Sequence, residues 1–213
     1  MYEWDHNAGA ATRTVTIIKI LPLPEGTTDI DVLEAGWGYV DQEKIIIYGA
    51  IFDPNGPVTR DMDLPAGWSM ISIPIMPENA SVSSLFPDAS VVYGYKKGVG
   101  YERVPADGNL EAGKGYWILF NEAQNLKLTG KPILNYTHQI AEDGWSMIGG
   151  CTLDAKASSD KCSIGFIYRY VQGSGYERVT ESEMFEFGKG YWIQLNNVAD
   201  QAELRVEPPG TTP

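Results

Sequence analysis

The sequence predicts an all-β protein: two tandem homologous units, each a small antiparallel β sandwich or partly open barrel, preceded by a short β segment. Three observations lead there. The 213 residues include 23 glycines and 13 prolines, a density of backbone punctuation that suits many short strands better than helical bundles. Apolar runs of strand length alternate with those turns. Finally, the chain repeats itself, which decides the architecture before any single element is read.

Gly67-Trp68-Ser69-Met70-Ile71 recurs unchanged as Gly144-Trp145-Ser146-Met147-Ile148, 77 positions later. Tyr93–Val104 recurs as Tyr168–Val179, and Gly113–Asn121 as Gly188–Asn196, both with an offset of 75. Across these blocks 20 of 26 positions are identical, so the chain carries a duplication. The boundaries that follow are residues 1–56 for an N-terminal β segment packing on the first unit, 57–132 for unit one, and 133–213 for unit two with a C-terminal linker. Upstream, Leu33-Glu34-Ala35-Gly36 echoes Leu110-Glu111-Ala112-Gly113, and Lys44–Gly49 reads as a strand. Residues 12–52 are either the back half of a degenerate third unit or an unrelated β segment.

Within one unit the elements follow in order. Val58–Leu64 and Ile133–Ile140 are the first strands of their units. Trp68–Ile75 is nearly all apolar, as expected of a strand buried on both faces. Ala80–Phe86 suits one helical turn, which Pro87 ends. Val91–Lys96 and Tyr101–Pro105 flank Gly98 and Gly100 and form a hairpin with glycine at positive φ. Gly113-Lys114-Gly115 then turns the chain into Tyr116–Phe120, and Leu126–Thr129 closes the unit.

Composition excludes several function classes. With 28 acidic against 16 basic side chains, the formal net charge is −12. Nucleic acid is therefore not expected as a partner, since phosphate binding needs clustered Lys and Arg, and an anionic membrane surface meets the same objection. No apolar run reaches the length of about 18 residues that a membrane-spanning helix needs, so no membrane insertion is expected. The first residues, Met1-Tyr2-Glu3-Trp4-Asp5-His6, show neither the basic nor the apolar region of a signal peptide. The chain still reads as a mature piece of a longer secreted protein, and Pro208–Pro213 reads as a linker.

The GW-x-[LM]-I strand, the Tyr-rich hairpin and the GKGYW block resemble the β repeat modules of large secreted and surface proteins of bacteria. The resemblance covers roughly residues 57–207. Ser69 and Ser146 stand where those modules often carry Asn. What it implies is a place outside the cytoplasm, extracellular or at the cell surface, and a non-catalytic structural or adhesive role in a larger protein.

Motifs with chemistry are few. Gly108–Lys114 approaches a phosphate-binding loop, but Gly115 replaces the required Ser or Thr and a strand follows instead of a helix. Neither His6 nor His138 lies in a repeated block, and no GxSxG or HExxH motif exists, so nucleophilic catalysis lacks its base. One repeated acid per unit, Glu102 or Glu177, is half of what glycoside hydrolysis needs. No enzyme activity and no cofactor are expected. Asp29, Asp31, Asp53 and Asn55 offer oxygen atoms for calcium, yet neither cluster recurs and solvated acidic turns explain them better.

The repeated aromatics carry the functional signal. Tyr and Trp combine an apolar face with a polar tip, which suits sugar rings and protein interfaces. Strand alternation puts Tyr101 and Arg103 on one face and Glu102 and Val104 on the other. Two readings stay open: the aromatics fill two small cores, or they line shallow carbohydrate sites. In the second, the ligand-binding set is Tyr95, Tyr101, Arg103, Lys114 and Trp117, with Tyr170, Tyr176, Arg178, Lys189 and Trp192. The partner would be a polysaccharide or another surface protein.

Cys151 and Cys162 are the only cysteines. They bracket a loop that has lost two residues and the Leu85-Phe86 pair of unit one. A Cys151–Cys162 disulfide is expected to compensate, in an oxidising compartment.

Overall fold

A computed structural model describes residues 57–180 and 183–209, together with two strands farther upstream. Contacts divide the chain into Met1–Asp53 and Pro54–Pro213. In the first part the described elements are β1 (Val40–Asp41) and β2 (Lys44–Ile45), an antiparallel pair. Residues 46–49 of the expected strand, the packing expected of 1–56, and Asp29, Asp31, Asp53 and Asn55 lie outside the described residues.

In the second part the duplication is visible as two repeats with matching strand order. Repeat one consists of β3 (Val58–Leu64), β4 (Gly67–Ser72), β5 (Ile75–Met76), α1 (Val82–Leu85), β6 (Ala89–Lys96), β7 (Gly100–Val104), β8 (Gly115–Phe120) and β9 (Gln124–Pro132). Repeat two consists of β10 (Tyr136–Ile140), β11 (Gly144–Gly149), β12 (Lys156–Ser158), β13 (Ser163–Val171), β14 (Gly175–Arg178), β15 (Gly190–Asn196) and β16 (Ala202–Glu207). Each repeat has a four-stranded sheet, β4-β8-β6-β7 or β11-β15-β13-β14. Each also has a three-stranded sheet, β3-β9-β5 or β10-β16-β12. All these pairings are antiparallel.

Alternation explains which side chains close the two sheets on each other. In β3, Met62 and Leu64 point inward while Asp61 and Asp63 face solvent. Ile71, Val92, Ile118 and Phe120 meet them from the four-stranded sheet, with Leu128 from β9, in one buried core. The hairpin β6-β7 turns through Gly98 (φ 76°) and Gly100 (φ 103°), and β13-β14 through Gly173 (φ 85°) and Gly175 (φ 89°). These left-handed positions favour glycine.

Two sequence expectations are corrected. Residues 69–75 are buried throughout, as expected of a run covered on both faces, but the run is not one strand: β4 ends at Ser72, and Ile75–Met76 crosses to pair with β9 in the other sheet. Ile71, Ile73 and Ile75 are buried, but Trp68 is 38% exposed. The expected disulfide is also absent, because Cys151 and Cys162 are both free thiols. Cys151 is fully buried and its Sγ donates to Val206 O of β16 at 3.3 Å. Cys162 leads into β13, in the other sheet, and packs half-buried on the same core. Phe185 stands where repeat one has Leu110. It stacks on Tyr191 with ring centroids 4.4 Å apart.

Candidate functional site

The outer faces of the two four-stranded sheets meet each other. Register places Met70, Trp117, Tyr93 and Arg103 in one row across β4, β8, β6 and β7. Their side chains point away from the core of repeat one. Met70 is nevertheless only 3% exposed, and its counterpart Met147 only 7%. Neither belongs to either repeat's core cluster, because the opposite repeat covers both.

The junction is reciprocal at the backbone. Ser72 N donates to Gly188 O at 3.0 Å, and Gly149 N donates to Gly113 O at 3.0 Å. Ile71 forms a β-bridge with Lys189, and Ile148 with Lys114. The GKG turn of each repeat therefore docks on the GWSMI strand of the other. Glycine is required for the approach. A Cβ on Gly115 would sit 2.9 Å from Ile148 O, and one on Gly190 would sit 2.6 Å from Ile71 O. Side chains add to the contact: Thr152 Oγ1 donates to Pro74 O at 2.5 Å, and the Arg60 guanidinium lies over the Phe187 ring at 4.7 Å.

Beside this backbone seam lie two aromatic clefts of about 420 and 410 Å³. The first is lined by Tyr95 and Tyr101 from repeat one and by Trp145, Tyr168, Tyr176 and Trp192 from repeat two. The second exchanges every member for its equivalent: Tyr170 and Tyr176 from repeat two, with Trp68, Tyr93, Tyr101 and Trp117 from repeat one. Tyr101 and Tyr176 line both and are 52% and 53% exposed. The ring geometry repeats as well. Trp192 meets Tyr95 at 4.7 Å and 76°, and Trp117 meets Tyr170 at 4.8 Å and 72°. Edge-to-face contacts of this kind set the positive ring edge against the negative face. Burial raises the Tyr176 phenol above its ordinary range, against the lowering pull of a hydrogen bond with the Trp192 indole.

Of the residues singled out in the sequence, Tyr95, Tyr101, Trp117, Tyr170, Tyr176 and Trp192 come together here. Trp117 and Trp192 are half-buried, which leaves part of each indole open to the clefts. Arg103, Arg178, Lys114 and Lys189 line neither cleft. Lys114 Nζ pairs with Glu111 at 2.7 Å on its own turn, and Arg178 lies over the Phe166 ring at 4.7 Å. Trp68, Trp145, Tyr93 and Tyr168 were missing from the ligand-binding set. All four lie in the duplicated blocks, which was the available signal.

The arrangement offers stacking faces and phenol hydroxyls, with no carboxylate, imidazole or ammonium among the lining residues. His138 lies elsewhere, with Nε2 3.0 Å from Gly113 O. Among the described residues no cluster of three or more His, Cys, Asp or Glu could hold a metal ion. Searches of protein-family models, curated proteins and solved structures found no match to this chain.

Proposed function

We propose that this chain is a non-enzymatic structural and adhesive module of a larger secreted or surface protein, and that its adhesion is to carbohydrate. The observation that carries the reading is the pair of reciprocal clefts, each walled by six Tyr and Trp side chains. Their volumes lie within the range of small-ligand sites, about 300–1,000 Å³. Aromatic walls suit the apolar faces of sugar rings, and the Tyr hydroxyls suit sugar hydroxyls. Support for the extracellular setting comes from the resemblance of the GW-x-M-I and GKGYW blocks to bacterial surface modules. The cysteines no longer contribute, since they form no bond.

A second reading, a spacer with no ligand, is favoured by the seam itself, where the repeated motifs serve to join the repeats. Binding of soluble oligosaccharides, followed by quenching of tryptophan fluorescence and by a glycan array, separates the two. Saturable binding that is lost in Trp117→Ala/Trp192→Ala supports adhesion. An array without hits leaves the spacer, and hydrolysis of any polysaccharide overturns both.

A further inference from the structure

The two aromatic clefts are parts of one surface. Each is floored by a trio of rings from one repeat's sheet. Trp68 lies 6.2 Å from both Tyr93 and Trp117, and Trp145 lies 5.9 Å from Tyr168 and 6.3 Å from Trp192. The hairpin of the opposite repeat walls each trio and is fixed at its tip. Lys97 Nζ donates to Glu142 O at 3.0 Å and pairs with the Glu142 carboxylate at 3.4 Å. Gln172, at the equivalent place, donates through Nε2 to Ala66 O. Tyr101 and Tyr176 line both clefts, and their phenols meet. The wall that ends one cleft therefore begins the other.

We propose that the two clefts hold one ligand between them: a linear, uncharged segment of β-1,4-linked glucan that runs from one trio, across Tyr101 and Tyr176, to the other. This rests on the carbohydrate reading above and names its substrate class. Continuity argues for one extended ligand, because a third of each cleft's lining is shared with its neighbour. Charge argues for a neutral one. No cation lines either cleft, Lys97 at the rim is held by Glu142, and the formal net charge is −12, so an anionic polysaccharide would meet repulsion with no partner to offset it. Shape argues for the linkage. A β-1,4-linked glucose ring carries its substituents equatorially, which leaves both ring faces apolar and flat for stacking on Tyr and Trp. Successive rings turn alternate sides outward, matching a platform whose second half repeats the first residue for residue.

The probes are β-1,4-linked gluco-oligosaccharides of two to about eight units, titrated calorimetrically into the intact chain. Short members should bind two per chain and long members one per chain, with affinity rising at least ~100-fold once a member reaches both clefts. Trp68→Ala and Trp145→Ala each remove a ring of one cleft only, and neither residue belongs to a core cluster. Each should weaken the longest member at least ~10-fold at an unchanged one per chain, whereas two independent clefts would lose one site and keep the affinity of the other. The longest member oxidised at C6 to a glucuronan should bind at least ~10-fold more weakly. The length series on the unaltered chain decides even where a variant fails to fold. A stoichiometry that does not change with length, a halved stoichiometry in either variant, or equal binding of the oxidised member would overturn the single-ligand proposal and leave the carbohydrate reading standing. Binding of other glycans with none of this series would overturn the choice of sugar, and a glycan array without hits would remove both.

Discussion

The Trp192 indole meets the Tyr95 ring edge-on at 4.7 Å across the junction between the repeats. Trp117 and Tyr170 make the same contact in the opposite sense. Each pair contributes about 0.5–1.5 kcal/mol beyond its buried area. Trp117→Ala or Trp192→Ala should therefore destabilise the chain by about 1–3 kcal/mol, since both indoles are only half-buried. The urea midpoint measures this, and near-ultraviolet circular dichroism should lose intensity in both variants alike.

Gly115→Ala and Gly190→Ala test the seam. In each, a methyl group is driven into a carbonyl of the opposite repeat, and overpacking of this kind costs about 1–3 kcal/mol. Gly173→Ala is the control. Nothing lies within 4 Å of its Cβ, but φ is 85°, so only left-handed strain of about 1 kcal/mol is expected. An equal loss in all three variants would show that the close approach does not hold the repeats together.

Tyr116→Phe and Tyr191→Phe should cost about 1–3 kcal/mol each. In both repeats the phenol oxygen accepts from a backbone amide five residues back, Glu111 N at 2.7 Å and Glu186 N at 2.8 Å. Removing the oxygen leaves a part-buried N–H without its partner. Thermal unfolding measures the loss, which should be similar in the two variants.

Much of this was legible in the sequence. The hairpin glycines, the strand limits of Val58–Leu64 and the helical turn before Pro87 each follow from local rules, and the structure keeps them. Alternation also placed Tyr101 and Arg103 on one face. What alternation cannot show is what covers that face, because docking of two repeats depends on surfaces far apart in sequence. Gly115 looked like a turn residue and is in fact a point of backbone contact. Cys151 and Cys162 looked like a pair because few residues separate them. A change of sheet lies between them.

Alkali should unfold the chain steeply. Burial pushes the Tyr116 phenol from 10.0 up to about 12 and the Cys151 thiol from 9.0 up to about 12. Tyr136 and Tyr191 are also raised by burial. A raised folded pKa means that the folded state holds the proton more tightly. Stability is then intact below the unfolded pKa and falls as pH rises through the folded one. Denaturant midpoints should be level up to about pH 9 and then decline to pH 12. Each group that releases its proton only on unfolding adds a slope of up to about 1.4 kcal/mol per pH unit. Tyr116→Phe should flatten the decline above pH 10, and an unchanged slope would count against burial as its cause.

The thiols give a direct chemical readout. Unfolded, unreduced protein should titrate two free thiols, and reductant should leave the melting temperature unchanged. In native protein at pH 8, Cys151 should resist alkylation until the fold opens, because it is shielded and forms almost no thiolate.

The reciprocity of the seam sets a counting rule. Each repeat has one GKG turn and one GWSMI strand, and in this chain each turn is seated on the other repeat's strand. Such a contact is self-saturating: once two copies have met, neither has a turn or a strand left to offer. A solenoid can lengthen one repeat at a time because its ends stay open, whereas this arrangement has none. Longer chains built from the same module would add it in twos, and a third copy beside this pair would need a different surface to hold it.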